Sequence, residues 1–326
     1  MNKTAEDRIK IGNLKINTNV SLAPMAGITD TIVRQLIRKY SKTCLLTTEM
    51  ISSEALVQRP TGAILHYEKF EHPLVFQLSG HKPELMAKAA KIIEDRASAI
   101  DINMGCPVNK VVKGTDGCAL MRNPKLASDI LKAVKDAVSV PVTCKFRLGW
   151  SQDDLNFVEF ANLMQESGAD LITVHGRTRS QFYSGQADWQ IISKLKSQMK
   201  IPVFANGDVV DLETAIKCKD QSQANGIAVG RGAIGDPTLI ARIEHYFKTG
   251  EKLPEPSIAE KIELLKEHLD MEMKLRGDEV GLKFVRKFYP YYIKGIRGGA
   301  EYRYNLVREE SYSNIMNILN EIQKVG

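Results

Sequence analysis

The segment AIDINMGCPVNKVVKGTDGCAL, residues 99–120, begins as a strand and breaks abruptly into a loop. Ile100 and Ile102 share one face while Asp101 and Asn103 share the other, the period-2 alternation of a strand. Gly105 and Pro107 then end it. Asn103 and Cys106 are thereby carried to the mouth of whatever sheet the strand joins. A thiol displayed on such a loop is a candidate for chemistry. The plain alternative is an inert core cysteine, because Cys is among the most buried residue types.

Seven more strand-like segments surround this one, at 20–23, 45–50, 74–78, 142–146, 171–174, 203–205 and 227–229. Amphipathic helical stretches alternate with them at 30–40, 83–95, 124–137, 154–167, 188–198 and 211–219. A weaker one lies at 52–58, and a last crossover at 236–248. Thr29-Asp30, Asn123-Pro124 and Asp211 supply helix-start signals. Eight βα units in about 230 residues predict an α/β chain folded as a (β/α)8 TIM barrel. A doubly wound sheet would also alternate, but no unit reads as antiparallel, which favours closure.

The 326 residues, 43% hydrophobic and 26% charged, suit a globular chain with one large domain and a small one. No stretch approaches the ~18 apolar residues of a membrane span. The opening MNKTAEDRIKIGNLKI lacks the apolar run of a secretory signal. Cys44, Cys106, Cys118, Cys144 and Cys218 form no CxxC pair, and their odd number fits no closed disulfide framework. A cytoplasmic protein with no membrane partner is expected. The six histidines show no ligand spacing, so no metal is expected. A net charge of +6 permits a polyanionic partner.

Active groups of such barrels sit where strands end and βα loops begin. Those ends carry Pro24-Met25-Ala26, Glu49, Gln77, Asn103 with Cys106, Lys145 with Arg147, and His175 with Arg177. An amide, a thiol, an amine and an imidazole would gather at one rim. The seventh and eighth ends carry Asn206-Gly207-Asp208 and Gly230-Arg231, and these glycine-rich loops read as a phosphate cradle. Residues 230–235 also match GxGxxG, but a helix follows where a dinucleotide fold needs a strand ending in an acid. A mononucleotide phosphate is the expected ligand. Cys118 and Cys144 read as structural, the latter facing the helices because it alternates with Lys145.

Residues 1–248 form the predicted barrel domain, and the Pro/Glu-rich stretch 249–256 is the predicted linker. Residues 257–326 read as a small all-α domain with helices at 257–275, 281–288 and 311–324. Between 283 and 308 lie seven bases, Lys283, Arg286, Lys287, Lys294, Arg297, Arg303 and Arg308, against one acid, Glu301. Phe284, Phe288, Tyr289, Tyr291, Tyr292, Tyr302 and Tyr304 interleave with them. Bases can neutralise phosphates and aromatics can stack on unpaired nucleobases. A solvated basic face over an aromatic core is the alternative.

APMAGITD (23–30), TEM (48–50), FQLSG (76–80), DINMGCPV with KGTDGCAL, KFRLGW, VHGRTRSQFYSG, ANGD and VGRGAIGDP follow one another along the chain. In these motifs it resembles the tRNA-dihydrouridine synthases, and among them the bacterial B type. The resemblance implies FMN held by Pro24, Met25, Ala26, Gln77, Lys145 and His175, with its phosphate on Asn206, Gly207, Asp208, Gly230 and Arg231. It implies NADPH as electron donor and tRNA as partner, with one C5=C6 bond of uridine reduced. Cys106 would deliver the proton to C5, as a thiol with an ordinary pKa of ~8.5 can at neutral pH. Asn103, Arg147, Arg177, Lys283, Arg286, Lys287 and Arg297 are the expected substrate-binding residues. Removing residues 257–326 is expected to cripple tRNA binding and, if the barrel survives alone, to leave it flavin-coloured. An FMN oxidoreductase of a free pyrimidine or enone, and a non-catalytic RNA-binding barrel, stand as the alternatives.

Overall fold

A computed structural model describes residues 9–325. Eight strands run in chain order: β1 (Val20–Leu22), β2 (Leu46–Ser52), β3 (Leu74–Ser79), β4 (Ala99–Met104), β5 (Val142–Arg147), β6 (Leu171–His175), β7 (Val203–Asn206) and β8 (Gly226–Val229). Each pairs in parallel with its chain neighbour from β2 to β8, and β8 returns to β1. A parallel bridge between Ser21 and Leu45 closes β1 onto β2. All eight expected strands are present, and they form a closed barrel.

Helices α1 (Thr31–Tyr40), α2 (Ser53–Gln58), α3 (Pro83–Ile93), α4 (Pro124–Ala137), α5 (Phe157–Glu166), α6 (Trp189–Lys196), α7 (Leu212–Ser222) and α8 (Leu239–Thr249) pack outside. Side chains of Asp30, Asn123, Asp188 and Asp211 accept N–H groups of the first turns of α1, α4, α6 and α7, satisfying donors the helices cannot. The helix expected from residue 154 begins at Phe157 instead. Asp154–Leu155 pairs antiparallel with Gly149–Ser151 around a polar turn, which takes the first residues out of the helix.

An antiparallel hairpin, Ile9–Ile11 with Leu14–Ile16, closes the barrel floor. Its Ile11 and Ile16 pack on Leu45, Val75, Ala99, Leu171 and Phe204 near the strand starts. Two three-residue strands are too short to show a period, so the sequence reading missed them. Ile11 is fully buried, and Ile11→Ala is expected to cost about 2–4 kcal/mol in urea unfolding.

After residues 250–257 come α9 (Ile258–Arg276), α10 (Asp278–Val285), α11 (Tyr289–Tyr292), α12 (Gly299–Arg308) and α13 (Tyr312–Val325). The sequence reading missed α12, whose buried residues are only Gly299 and Leu306, too few to mark a stripe. Ile262, Leu265, Leu269, Val285 and Phe288 of this tail join the same hydrophobic core as Val33 and Ile37 of α1. Cutting the chain at residue 257 would open that core, so charge substitutions on the tail surface test its role more cleanly than a deletion. Phe288, Tyr289 and Tyr292 are buried. The exposed aromatics of the basic stretch are Tyr291 and Tyr304. Three of the seven aromatics of the expected stacking surface are thus core, and Phe284 and Tyr302 pack half-buried against it.

Candidate active site

A cavity of about 470 Å³ opens at the C-terminal ends of the strands, within the usual range for small-ligand sites. Pro24, Met25, Ala26, Gln77, Asn103, Cys106, Lys145, Arg147, His175, Asn206, Gly207, Asp208, Gly230 and Arg231 all line it. The residues named from the strand ends therefore meet, with two exceptions. Arg177 stands behind the wall, and Glu49 supports the loop after β1 by accepting the Gly27 N–H.

A polar chain rises through the barrel to the thiol. Asp101, inside the barrel, accepts the Thr143 hydroxyl at 2.5 Å and the Gln77 amide at 2.8 Å. Asn103 donates to Gln77 Oε1 at 2.8 Å. Its own Oδ1 accepts the N–H groups of Gly105 and Cys106 at 3.2 and 3.0 Å. Alternation on β4 makes this possible: Asp101 and Asn103 point inward while Ile100 and Ile102 join the outer core. Much of the amide capacity of Gln77 and Asn103 thus shapes the Cys106 loop. Burial pushes the Cys106 thiol up, outweighing the pull of Arg147 and Lys145. The thiol is therefore protonated at neutral pH. Cys118 and Cys144 are buried and free, and burial pushes Cys118 up to about 12.

Lys145 and His175 respond to the same burial. Lys145 falls to about 8, through loss of solvent and then the Arg147 charge. Its amine makes no hydrogen bond among the described residues, so it is available to a ligand. Burial and the cations Lys145, Arg147, Arg177 and Arg231 hold His175 well below its usual range. A guanidinium can only donate, so His175 Nε2 accepts from Arg177 at 3.4 Å.

The two arginines expected on the substrate side brace the surrounding loops, Arg147 while also lining the cavity. Arg147 donates to Gly105 O at 3.0 Å, Thr178 O at 2.9 Å and Phe182 O at 2.8 Å. It ties the Cys106 loop to the loop after β6. Arg177 grips Asp208 through two bonds of 2.9 and 2.6 Å, and it also donates to Ser184 O and Gly185 O. Both are almost wholly buried. That pairing cancels the Asp208 charge beside the proposed phosphate cradle. Gly207 takes φ +120°, and a Cβ there would lie 2.7 Å from the Ala187 Cβ and 3.1 Å from the His175 ring. A Cβ on Gly230 would meet nothing closer than Met25 Sδ at 3.7 Å, which leaves room for a ligand against that backbone.

Tyr183 and Tyr291 also line the cavity, and the sequence reading assigned neither to it. Tyr183 lies under two guanidinium groups, Arg231 at 5.0 Å and Arg147 at 5.7 Å from its ring centre. Its position in the quoted VHGRTRSQFYSG loop was the available signal. Tyr291 arrives from the tail, and a Cβ on Gly235 would come within 2.4 Å of its backbone. No local pattern could announce that contact. On the tail surface Lys283 and Arg297 are exposed. Arg286 donates to Glu309 O at 3.0 Å, and the Lys287 ammonium lies 3.1 Å from the Phe284 ring centre. Among the described residues no cluster of three or more His, Cys, Asp or Glu could hold a metal. No helix among them is long and apolar enough to cross a membrane.

A protonated thiol and a cationic amine line one mouth at the C-terminal end of a closed parallel barrel, the end at which barrel enzymes carry their active sites. The family model described as dihydrouridine synthase (Dus) matches residues 21–324, and the chain belongs to that family. The "Probable tRNA-dihydrouridine synthase 1" of Synechocystis sp. is 41% identical over 315 residues, covering 96% of this chain and 88% of that one. The "tRNA-dihydrouridine synthase B" of Pseudomonas putida is 38% identical over 298 residues, covering 90% and 88%. Among solved structures, an old yellow enzyme homologue from Zymomonas mobilis shares the barrel with a TM-score of 0.53 at 14% identity, covering 78% of this chain and 95% of that one. Morphinone reductase does so at 0.52 and 12%, covering 78% and 93%. The chain is an enzyme, and its family reduces uridine in tRNA to dihydrouridine.

Proposed function

We propose that the cavity holds FMN and that a uridine extruded from tRNA enters above it, with NADPH supplying the electrons. The convergence of the Cys106 thiol and the Lys145 amine on one cavity carries this reading. The residues suit the cofactor. Gly207 and Gly230 keep side chains out of the cradle, Arg231 offers a half-exposed guanidinium, and the Lys145 amine has no hydrogen-bond partner among the described residues. FMN, when bound, supplies hydride chemistry towards C6 of the base.

The protein's own groups do the rest. Lys145 would bring a positive charge to a bound anionic cofactor. Neutral His175 can donate or accept a hydrogen bond without adding a second charge. Cys106 gives its proton to C5 as negative charge builds there. Asn103 fixes the Cys106 loop by accepting the Gly105 and Cys106 N–H groups. With its wall of Met25, Met50 and Ile234 the cavity is partly apolar, which excludes water from the reacting atoms.

Residues 257–326, entered through the 249–256 connection, are the proposed tRNA-recognition domain, and a cytoplasmic setting follows from the substrate. Flipping a base out of the stack costs a few kcal/mol, and phosphate contacts along the tail offset it. The double variant Lys283→Ala/Arg297→Ala removes two exposed charges that hold no core contact. Its tRNA affinity should depend less steeply on salt, the log–log slope falling by about 1–2, with the melting temperature unchanged. An unaltered slope would remove these two residues from the interface. The decisive test of the whole reading is the visible spectrum of the purified protein together with NADPH-dependent formation of dihydrouridine in tRNA. A colourless protein, or a yellow one that reduces only free pyrimidines, contradicts it.

A further inference from the structure

We propose that Arg276, acting through Asp30, positions the cavity-facing loop at 24–29, so that the helical tail is part of the cofactor site as well as an RNA grip. The proposal rests on the FMN reading above. Asp30 closes that loop. Its Oδ1 accepts the Val33 N–H as the cap of α1, and its Oδ2 accepts Arg276 Nη2 at 2.5 Å. Thr29, next to it, is folded back on the cavity wall: Met25 N–H donates to Thr29 Oγ1 at 3.1 Å, and Thr29 N–H to Met25 O at 3.0 Å. Movement of Asp30 is therefore carried through one tight turn to Met25, which faces the cavity.

Arg276 is itself held. Its Nε donates to Glu272 Oε2 at 2.6 Å, and its guanidinium lies 3.6 Å from the Phe284 ring centre. Asp30 and Glu272 are both buried, and burial followed by the Glu272 carboxylate pushes the Asp30 carboxyl up to about 6. Among the described residues, Arg276 and Lys287 are the tail cations that act on these buried acids, and buried His268 is held neutral at a pKa of about 4. His268 Nε2 and Glu272 Oε1 face one another at 3.7 Å, each without a hydrogen bond. Without Arg276 two buried carboxylates would confront each other uncompensated, and they would separate or take up a proton. Either outcome frees the end of the loop. Arg34 still donates to Thr29 O at 2.8 Å, so the loop should loosen without unfolding.

The test uses full-length wild type, Arg276→Gln, Arg276→Lys, Asp30→Asn and the Asp30→Asn/Arg276→Gln double variant. FMN affinity is read by quenching of flavin fluorescence, and amide exchange is read with and without FMN. Asn caps a helix as well as Asp does, so Asp30→Asn removes the charge alone. Arg276→Gln should weaken FMN binding roughly tenfold and speed exchange at Met25, Gly27 and Thr29 while the α9 interior stays protected. Asp30→Asn should do the same, the double variant should be no worse than the worse single one, and Arg276→Lys should recover part of the loss. The proposal is overturned by FMN affinity within twofold of wild type together with unchanged exchange at 25–29. Additive losses, or exchange rising throughout α9, overturn it too. Exchange in the FMN-free protein decides the matter even where wild type takes up no flavin, a result that would independently sink the FMN reading.

Discussion

Cys106→Ala protein will purify yellow and accept electrons from NADPH at the wild-type rate, yet its uridine reduction will fall by roughly 10²–10⁴-fold. The split follows from geometry. Cys106 sits on the loop after β4, with its N–H held by Asn103 Oδ1, while the cradle residues lie across the mouth on the loops after β7 and β8. Its substitution removes a proton source without disturbing those contacts. Burial keeps the thiol above its ordinary range, so the wild-type donor is loaded throughout the neutral region. Turnover of wild type should fall only once pH rises through that elevated value and the thiolate forms. Single-turnover mixing of reduced enzyme with tRNA measures the oxidative half alone, and wild-type speed in that experiment would remove Cys106 from the mechanism.

Lys145 sets the second large effect. In the free protein its amine titrates at about 8, lowered first by burial and then by Arg147. An anionic ligand stabilises the ammonium and raises that value, so the complex binds a proton the free protein has begun to lose. FMN dissociation constants should be flat below pH 8 and rise about tenfold per pH unit above it, until the pKa of the complex is reached. Lys145→Met should bind FMN roughly 10–100-fold more weakly at pH 7 and show no rise between pH 7 and 9. Equilibrium titration across that range checks both statements. A wild-type profile as flat as that of the variant would show that the ammonium is not part of the cradle.

These two residues illustrate what a linear pattern can carry. Lys145 lies near the end of a strand whose alternation already places it opposite Cys144, inside rather than among the helices, and β5 does so. Asn103 and Lys145 fall side by side in register between β4 and β5. The barrel rule then brings every strand end to one rim. What the pattern could not carry was the use each polar group finds there. Arg147 and Arg177 carry the same charge at equivalent strand ends as any phosphate-binding arginine, and only the approach of Gly105 O, Phe182 O and Asp208 turned them into braces. The aromatic run 284–304 likewise reads as a stacking surface, yet Phe288, Tyr289 and Tyr292 went to the core because the tail needed their area to cover the barrel.

Strand alternation, helix-start residues and glycine positions depend on a few neighbours, so the amino-acid sequence alone determined eight βα units, one mouth and the residues around it. Closure by the Ser21–Leu45 bridge, the floor hairpin, the arrival of Tyr291 at Gly235 and the Arg276–Asp30 contact each join residues far apart in the chain. Those were decided by tertiary packing. Which groups meet across such separations depends on how whole elements share buried area and cancel buried charge, and no short-range pattern records that.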